Sequence, residues 1–324
     1  MKKIITFVLL IVFSISLTGC KIVNTDDENI VYTTVYPLQF LLENIAGDTV
    51  TVERVPGSTN SGHVDELNWT GKEIISMLKS DLLFYVDGGV DTYISNSIDS
   101  VFSDGDVVLV NLSESITYNQ VCYGHDHDHE EDAPLVDEVS MCDENMLSDD
   151  PHFWLDPNRM LDAAEVIKDQ LITAFPENTD LYESNFASIE IILETLDDNL
   201  STILTNATKP IITTNMLFNY WHSTYDLEII SLSTDAHNSE VVPGDVIEFV
   251  EEAVFHEIHC ILYESNTNSP TGDLVFEQLL LQDPTAKAEY LHSLGNLTTE
   301  QVESGETYIT LMYENLAILE EATK

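Results

Sequence analysis

The most distinctive motif of the chain lies near its middle and reads Asp150-Pro151-His152-Phe153-Trp154-Leu155-Asp156-Pro157. Each proline fixes its own φ and keeps the preceding residue out of helical geometry, which predicts a shaped turn. A helix is predicted to begin at the end of the motif, because Asp156 can cap its first turn and Pro157 suits the first helical position. His152 is then either a functional histidine in a rigid, aromatic-walled turn or one that simply packs there.

The charge of the chain excludes one large class of partners. Its 324 residues include 11 basic and 58 acidic ones, for a formal net charge of −47. Nucleic acid is not expected as a partner, since phosphate binding needs clustered lysine and arginine. Cations are attracted to such a protein. The length suggests one large domain or two of medium size, and a hydrophobic content of 44% is sufficient for ordinary cores.

The first twenty residues have the layout of a secretory signal peptide. Lys2 and Lys3 precede an apolar run at 4–17, which is too short to span a bilayer comfortably. The run ends in Leu17-Thr18-Gly19-Cys20, which resembles a bacterial lipobox. We therefore predict a signal peptide over residues 1–20, lipid attachment at Cys20 and a tether over 21–29. An ordinary signal peptide with an incidental cysteine is the alternative.

Three further cysteines follow Cys20. Outside the cytoplasm two of them can pair, and Cys122 and Cys142 are the candidates because they flank a polar loop. Cys260 lies in an apolar run and is predicted to be a buried thiol.

Strand-like and helix-like patterns alternate along the rest of the chain, which predicts an α/β fold with parallel sheets. An N-terminal α/β domain is predicted over residues 30–175 and a C-terminal α/β domain over 207–324. The alternation is interrupted at 113–150, which is long, acidic and histidine-bearing and is interpreted as a mobile loop. Near the end of the chain, Thr299–Ala322 is predicted to be one helix.

A single long helix over residues 176–206 is predicted to connect the two domains. Its apolar residues alternate in steps of four and three, which places them in one stripe along the helix. The stripe consists of Tyr182, Phe186, Ile189, Leu193, Leu196, Leu200 and Ile203. A surface helix of a single domain is the alternative interpretation.

Five polar residues fall at or just after the ends of predicted strands: His63, His152, Asn215, Glu264 and His292. Ligands of open parallel sheets bind beyond the carboxyl ends of the strands, so imidazoles from both halves can meet across a cleft. Neutral imidazole is a common ligand of zinc. Each histidine alone is better explained as a packed or capping residue, and only their shared placement favours a metal site.

Four stretches carry a family resemblance: the motif at 150–157, Gly62-His63-Val64-Asp65-Glu66, Leu291-His292-Ser293-Leu294, and the closing segment 308–316. They resemble landmarks of the zinc- and manganese-binding lipoproteins of ABC-type metal uptake systems, the cluster A-I metal solute-binding proteins. The resemblance covers nearly all of the chain beyond the signal peptide. It implies two α/β domains joined by one long helix, with a single metal ion in the cleft between the domains.

The resemblance also implies a ligand set. His63 and His152 match the first two ligands of the family. Asn215 stands where the family usually has a histidine or a carboxylate, and His292 stands where it often has a carboxylate. The predicted set is therefore His63, His152 and His292, completed by Asn215, Glu264 or a water. Nitrogen-rich ligation favours zinc over manganese, so Zn²⁺ is the predicted cargo.

A second feature is the loop Gly124-His125-Asp126-His127-Asp128-His129-Glu130-Glu131-Asp132. Zinc-type members of the family often carry such a histidine-rich acidic loop. We predict that His125, His127 and His129 form an auxiliary site that collects metal weakly near the cleft. A tether whose histidines have no role is the alternative.

The predicted function is that of an extracytoplasmic lipoprotein, anchored to the bacterial cell membrane through Cys20, that hands Zn²⁺ to an ABC permease without a catalytic step. We expect a monomer. A manganese or iron binder is the alternative within the family. A secreted zinc hydrolase would also use three histidines and an open position, but the sequence contains no His-Glu-x-x-His helix motif. An adhesin is neither supported nor excluded.

Overall fold

The computed structural model describes residues 29–59, 67–122, 147–233 and 245–324, with the side chains of Cys122 and Asp245 left out. Within these ranges the chain forms two four-stranded parallel sheets and one antiparallel hairpin. Several predicted features lie outside the described residues: the signal peptide with Cys20, His63, His125, His127, His129 and Cys142.

The first sheet has the strand order β2-β1-β3-β4. Its strands are β1 (Ile30–Thr33), β2 (Thr51–Arg54), β3 (Leu82–Tyr85) and β4 (Val108–Asn111). Thr33 of β1 lies opposite Arg54 and Phe84, so the carboxyl ends of three strands lie side by side. The helices between the strands are α1 (Tyr36–Ala46), α2 (Gly71–Leu78) and α3 (Thr92–Ser95), which is followed by a π-helical turn, Ile98–Phe102.

The second sheet repeats this architecture with the strand order β10-β9-β7-β8. Its strands are β7 (Ile211–Thr213), β8 (Ile229–Ser231), β9 (Cys260–Glu264) and β10 (Lys287–Leu291). Glu264 and Leu291 are register partners at the carboxyl edge of this sheet. The helices between its strands are α6 (Asn219–Tyr225), α7 (Asp245–Phe255) and α8 (Pro270–Gln282). The predicted α/β class with two parallel sheets is confirmed, and Cys260 is a buried free thiol.

The segment 113–150 departs from the prediction at both of its ends. A mobile loop was expected, but Asn119–Cys122 (β5) and Leu147–Asp150 (β6) form an antiparallel pair in which Asn119 lies opposite Asp150. The expectation of loop structure is therefore wrong for these residues. The reason is that β6 is polar, with two exposed residues, so its backbone pairing leaves no apolar signal in the sequence.

Two helices follow the hairpin, α4 (Pro157–Ala174) and α5 (Thr179–Leu204). The predicted start of α4 is confirmed, since Pro157 takes the first turn and the Asp156 side chain accepts a bond from the Asn158 backbone N–H. The 26-residue helix α5 packs against α1 and α4 on one side and against elements of the second half on the other. Five of the seven predicted stripe residues are buried, and Phe186 and Ile203 are partly buried. The division into two domains stays a prediction.

The chain ends in two helices rather than the single helix predicted over Thr299–Ala322. They are α9 (Thr299–Ser304) and α10 (Tyr308–Ala322). Gly305 ends α9 with a left-handed φ of 79°, and Thr307 starts α10 through a capping box with Thr310. In the described ranges, no helix combines the length and apolarity needed to cross a membrane.

Candidate metal centre

His152 lies in the turn between β6 and the short 3₁₀ helix Phe153–Leu155, and it is only 2% exposed. One carboxylate oxygen of Asp150 accepts two hydrogen bonds from His152, one from the backbone N–H at 3.0 Å and one from the ring Nδ1 at 2.7 Å. The ring also packs edge-on against Trp154. Because Nδ1 donates to a carboxylate, a metal bound by this imidazole would use Nε2, and Asp150 fixes both the tautomer and the ring orientation.

The turn that carries His152 is fixed by aromatic side chains. Tyrosine and tryptophan side chains of the second half donate hydrogen bonds to backbone carbonyls of this turn. Trp154, which belongs to the turn, donates to a backbone carbonyl of the second half. These bonds are Tyr220 Oη to the Asp150 carbonyl (2.6 Å), Trp221 Nε1 to Leu155 (3.0 Å), Tyr308 Oη to Trp154 (2.6 Å), and Trp154 Nε1 to Ser293 (2.8 Å). A histidine held by this many buried bonds has little freedom to reorient.

Glu264 ends β9 as a buried carboxyl group at the edge of the second sheet. Burial raises its pKa, while hydrogen bonds from Ser293 and Asn215 and the nearby His152 act to lower it. The bond from Asn215 Nδ2 to Glu264 Oε2 is 2.9 Å long. His152 of the first half therefore lies within electrostatic range of Glu264 of the second.

Asn215 uses both ends of its side-chain amide. Its Nδ2 donates to Glu264, and its Oδ1 accepts from the Leu217 backbone N–H at 3.4 Å, at the start of the short helix Met216–Phe218. The residue therefore caps a turn and orients a carboxylate.

His292 follows β10, and its ring turns toward the last two helices. Its Nδ1 lies 3.2 Å from Gln301 Nε2, and its Nε2 lies 3.3 Å from Glu314 Oε2. The side chain of Asn315 makes two hydrogen bonds to the His292 backbone: its Oδ1 accepts from the N–H, and its Nδ2 donates to the carbonyl. The next residue, Ser293, is the one whose side chain bonds Glu264.

The structure thus joins two of the predicted residues, Asn215 and Glu264, by a hydrogen bond, and it places His152 within electrostatic range of Glu264. His292 lies next to them along the chain, and His63 lies outside the described residues. Among the residues that the structure describes, no three His, Cys, Asp or Glu side chains are grouped closely enough to hold a metal ion. Sequence reasoning missed two site residues, Asp150 and Ser293. The Asp-x-His spacing was a signal for the first, because histidine ligands commonly donate to a carboxylate.

Comparison with known families gives a match over almost the whole described chain. A family model described as zinc-uptake complex component A, periplasmic, matches residues 31–322.

Curated relatives and solved structures are similar to the chain at low identity. The zinc-binding lipoprotein AdcA of Streptococcus pneumoniae is 26% identical over 333 residues, covering 100% of this chain and 61% of the relative. The chain therefore spans less than two thirds of that relative's length. The high-affinity zinc uptake system protein ZnuA of Bacillus subtilis is 26% identical, covering 90% of this chain and 86% of the relative. The crystal structure of the Zn(II)-bound ZnuA-like domain of Streptococcus pneumoniae AdcA superposes with a TM-score of 0.69 at 24% identity, covering 92% and 99% of the two chains, and shows that the fold is shared.

Proposed function

The chain belongs to the family of periplasmic zinc-uptake complex component A, and on this premise we propose that it captures Zn²⁺ outside the cytoplasm and delivers it to an ABC-type permease. The family match over residues 31–322 is the observation that carries the proposal. Relatives named as a zinc-binding lipoprotein and a zinc uptake system protein support it. The family is one of transport components, so the proposal includes no catalytic step.

The proposed site lies in a cleft between the two predicted domains. Its ligands are His63 and His152 from the first domain and His292 from the second. Glu264 is favoured over Asn215 as the fourth donor, because the Asn215 amide already bonds Glu264 and Leu217. An ionised carboxylate is also a stronger zinc ligand than a neutral amide.

His292 can join such a site only if its ring leaves its present contacts. Both ring nitrogens are engaged, one by Gln301 and one by Glu314. Zinc binding is therefore coupled, in this proposal, to a change in the His292 side chain. Breaking the partly exposed His292–Glu314 ion pair costs little stability, since ion pairs near the surface contribute only about 0–1 kcal/mol.

Three parts of the proposal concern residues outside the described ranges or, for Cys122, a side chain that the structure does not describe. Cys20 carries the lipid that anchors the chain to the membrane. His125, His127 and His129 collect metal weakly and raise its concentration near the cleft. Cys122 and Cys142 close the intervening loop with a disulfide. The assembly at the membrane consists of one copy of the chain and its permease.

Metal content and titration of the purified protein test the proposal directly. We expect one tightly bound equivalent of zinc that manganese does not displace. Deleting residues 124–132 is expected to remove weaker binding and leave the tight equivalent, because flexible donors lose entropy on binding. A protein without a tight equivalent, or one that prefers manganese, would contradict the proposal.

A further inference from the structure

Arg54 ends β2 and donates hydrogen bonds to both halves of the molecule. Its Nη2 bonds the Thr34 carbonyl of the first half at 2.5 Å and Asn296 Oδ1 of the second half at 2.7 Å. Burial lowers the pKa of the guanidinium to about 10, so the group stays charged at neutral pH. Its Nε has no hydrogen-bond partner within the described part of the chain. Withdrawing a charge even partly from water costs free energy, which the bonds to Thr34 and Asn296 offset.

Asn296 completes the connection from the other side. While its Oδ1 accepts from Arg54, its Nδ2 donates to the Ser58 carbonyl at 3.4 Å. One amide therefore bonds both the last residue of β2 and the segment that follows it. Two more bonds hold the same stretch of the second half: the Tyr36 N–H donates to the Gly295 carbonyl, and Trp154 Nε1 donates to the Ser293 carbonyl.

The conformation of this stretch is not one that it would adopt alone. Leu294 has a φ of 65°, in the left-handed region that a non-glycine residue seldom occupies. Such a backbone persists only where its surroundings over-determine it. The bonds from Tyr36, Arg54 and Trp154 supply that constraint, and all three come from the first half.

We propose that Arg54 and Asn296 are positioning residues of the metal site. The inference rests on the proposed function. Arg54 ends β2 at the carboxyl edge of the first sheet, and Asn296 belongs to the turn that carries His292 and Ser293. The bond between them holds that turn against the first half, which also carries His152, so that one ion can bind residues of both halves. Neither residue contacts the ion.

A double-mutant cycle tests the proposal with Arg54→Met, Asn296→Leu and the double variant. Each single variant is expected to raise the zinc dissociation constant by on the order of tenfold, as loss of outer partners of a metal site commonly does. The double variant should bind about as weakly as either single variant, because the two residues act through one bond. Lys168→Met is the matched control. It removes a cation that pairs with Glu165 and Asp169 on α4.

Two further measurements separate positioning from general stability. Visible spectra of the Co²⁺-loaded proteins report coordination geometry, and we expect them to change in Arg54→Met and Asn296→Leu but not in Lys168→Met. Urea unfolding of the metal-free proteins measures stability independently. Arg54→Lys, which can reach one of the two acceptors, should restore part of the zinc affinity.

The outcomes are distinct. A parent protein that does not bind zinc would overturn the proposed function, and the positioning role with it. A parent that binds zinc tightly, with the Arg54 and Asn296 variants within twofold of it, would overturn the positioning role alone. Unchanged Co²⁺ spectra, with affinity falling only in proportion to stability, would also overturn the positioning role and leave the proposed function intact.

Discussion

Two buried carboxyl groups lie at or beyond strand ends in the two halves of the molecule, Asp91 after β3 in the first and Glu264 at the end of β9 in the second. Burial raises the pKa of both, to about 6 for Asp91. Their partners differ. Asp91 accepts bonds from the hydroxyl of Thr34 and the backbone N–H groups of Val86 and Asp87, all in its own half. Glu264 accepts from Asn215 and Ser293 and lies near His152 of the other half.

The difference between these carboxyl groups separates a structural role from a functional one. The oxygens of Asp91 are used to hold a turn after β3, where they satisfy backbone donors that would otherwise be buried without partners. In the described part of the chain, the partners of the Glu264 carboxyl group are side chains, and the group lies where the two halves meet. A metal ion should therefore act on Glu264 and leave Asp91 unaffected.

The largest expected effect comes from removing the imidazole beside Glu264. His152→Ala should weaken zinc binding by more than about a hundredfold, since losing a ligand exceeds the 10–100-fold typical of losing an outer partner. His259→Ala is the control, because His259 is exposed and pairs with Asp283 away from the site. Isothermal titration with zinc measures both. Equal affinities for the two variants would remove His152 from the site.

The next effect compares the two carboxyl groups directly. Glu264→Gln keeps the shape and the bond from Asn215 but removes the charge, and it should weaken zinc binding by about tenfold. Asp91→Asn turns an amide N–H₂ toward donors, and it should lower the free energy of unfolding by about 1–3 kcal/mol while leaving zinc affinity unchanged. Paired titrations and urea unfolding check this. The opposite pattern, with zinc affinity sensitive to Asp91, would reverse the assignment of roles.

Much of this comparison was predictable from local patterns. The strand–helix alternation predicted both parallel sheets, and the Asp-Pro motif predicted the turn at His152 and the start of α4. The placement of Asn215 and Glu264 after neighbouring strands predicted that these two residues meet, and they share a hydrogen bond at the carboxyl edge of the second sheet, whereas His152 follows β6. These predictions succeeded because they depend on proline geometry, capping and hydrophobic period, all of which act over a few residues.

The predictions that were wrong, and the features that were not predicted, depend on contacts between residues far apart in the sequence. The β5–β6 pairing joins Asn119 to Asp150 through the backbone and leaves no side-chain pattern. The break between α9 and α10 depended on Gly305 adopting a left-handed conformation, which the helical pattern around it obscured. The orientation of the His292 ring toward Gln301 and Glu314 follows from how α9 and α10 pack, and no sequence spacing encodes it.

A smaller effect is expected in the pH dependence of the metal-free protein. Both carboxyl groups have a raised pKa in the folded state, so their contribution to stability is complete below the unfolded value of about 4 and is lost as pH rises through the folded value. For Asp91, with a folded pKa of about 6, the change amounts to about 3 kcal/mol.

Urea unfolding across pH 4 to 7 distinguishes the two groups. Between pH 4 and 7, Glu264→Gln should lose less stability than the parent. The variant lacks the pH-dependent loss that Glu264 causes and keeps the loss that Asp91 causes. Identical curves for the parent and Glu264→Gln would show that Glu264 does not titrate in this range.

The smallest expected effect concerns Asn215, the neighbour that holds Glu264 in place. Asn215→His places an imidazole where the family usually has a histidine or a carboxylate, and zinc binding should tighten severalfold because nitrogen donors favour zinc. The same substitution removes the cap on Met216–Phe218 and the bond to Glu264, so the metal-free protein should lose about 0.5–2 kcal/mol of stability. Asn215→Ala is the matched control, since it loses the same bonds and supplies no donor. Zinc titration and urea unfolding of both variants then separate the two consequences. Tighter binding by the histidine variant alone would place position 215 against the ion, whereas equal binding by the two variants would limit Asn215 to the orientation of Glu264.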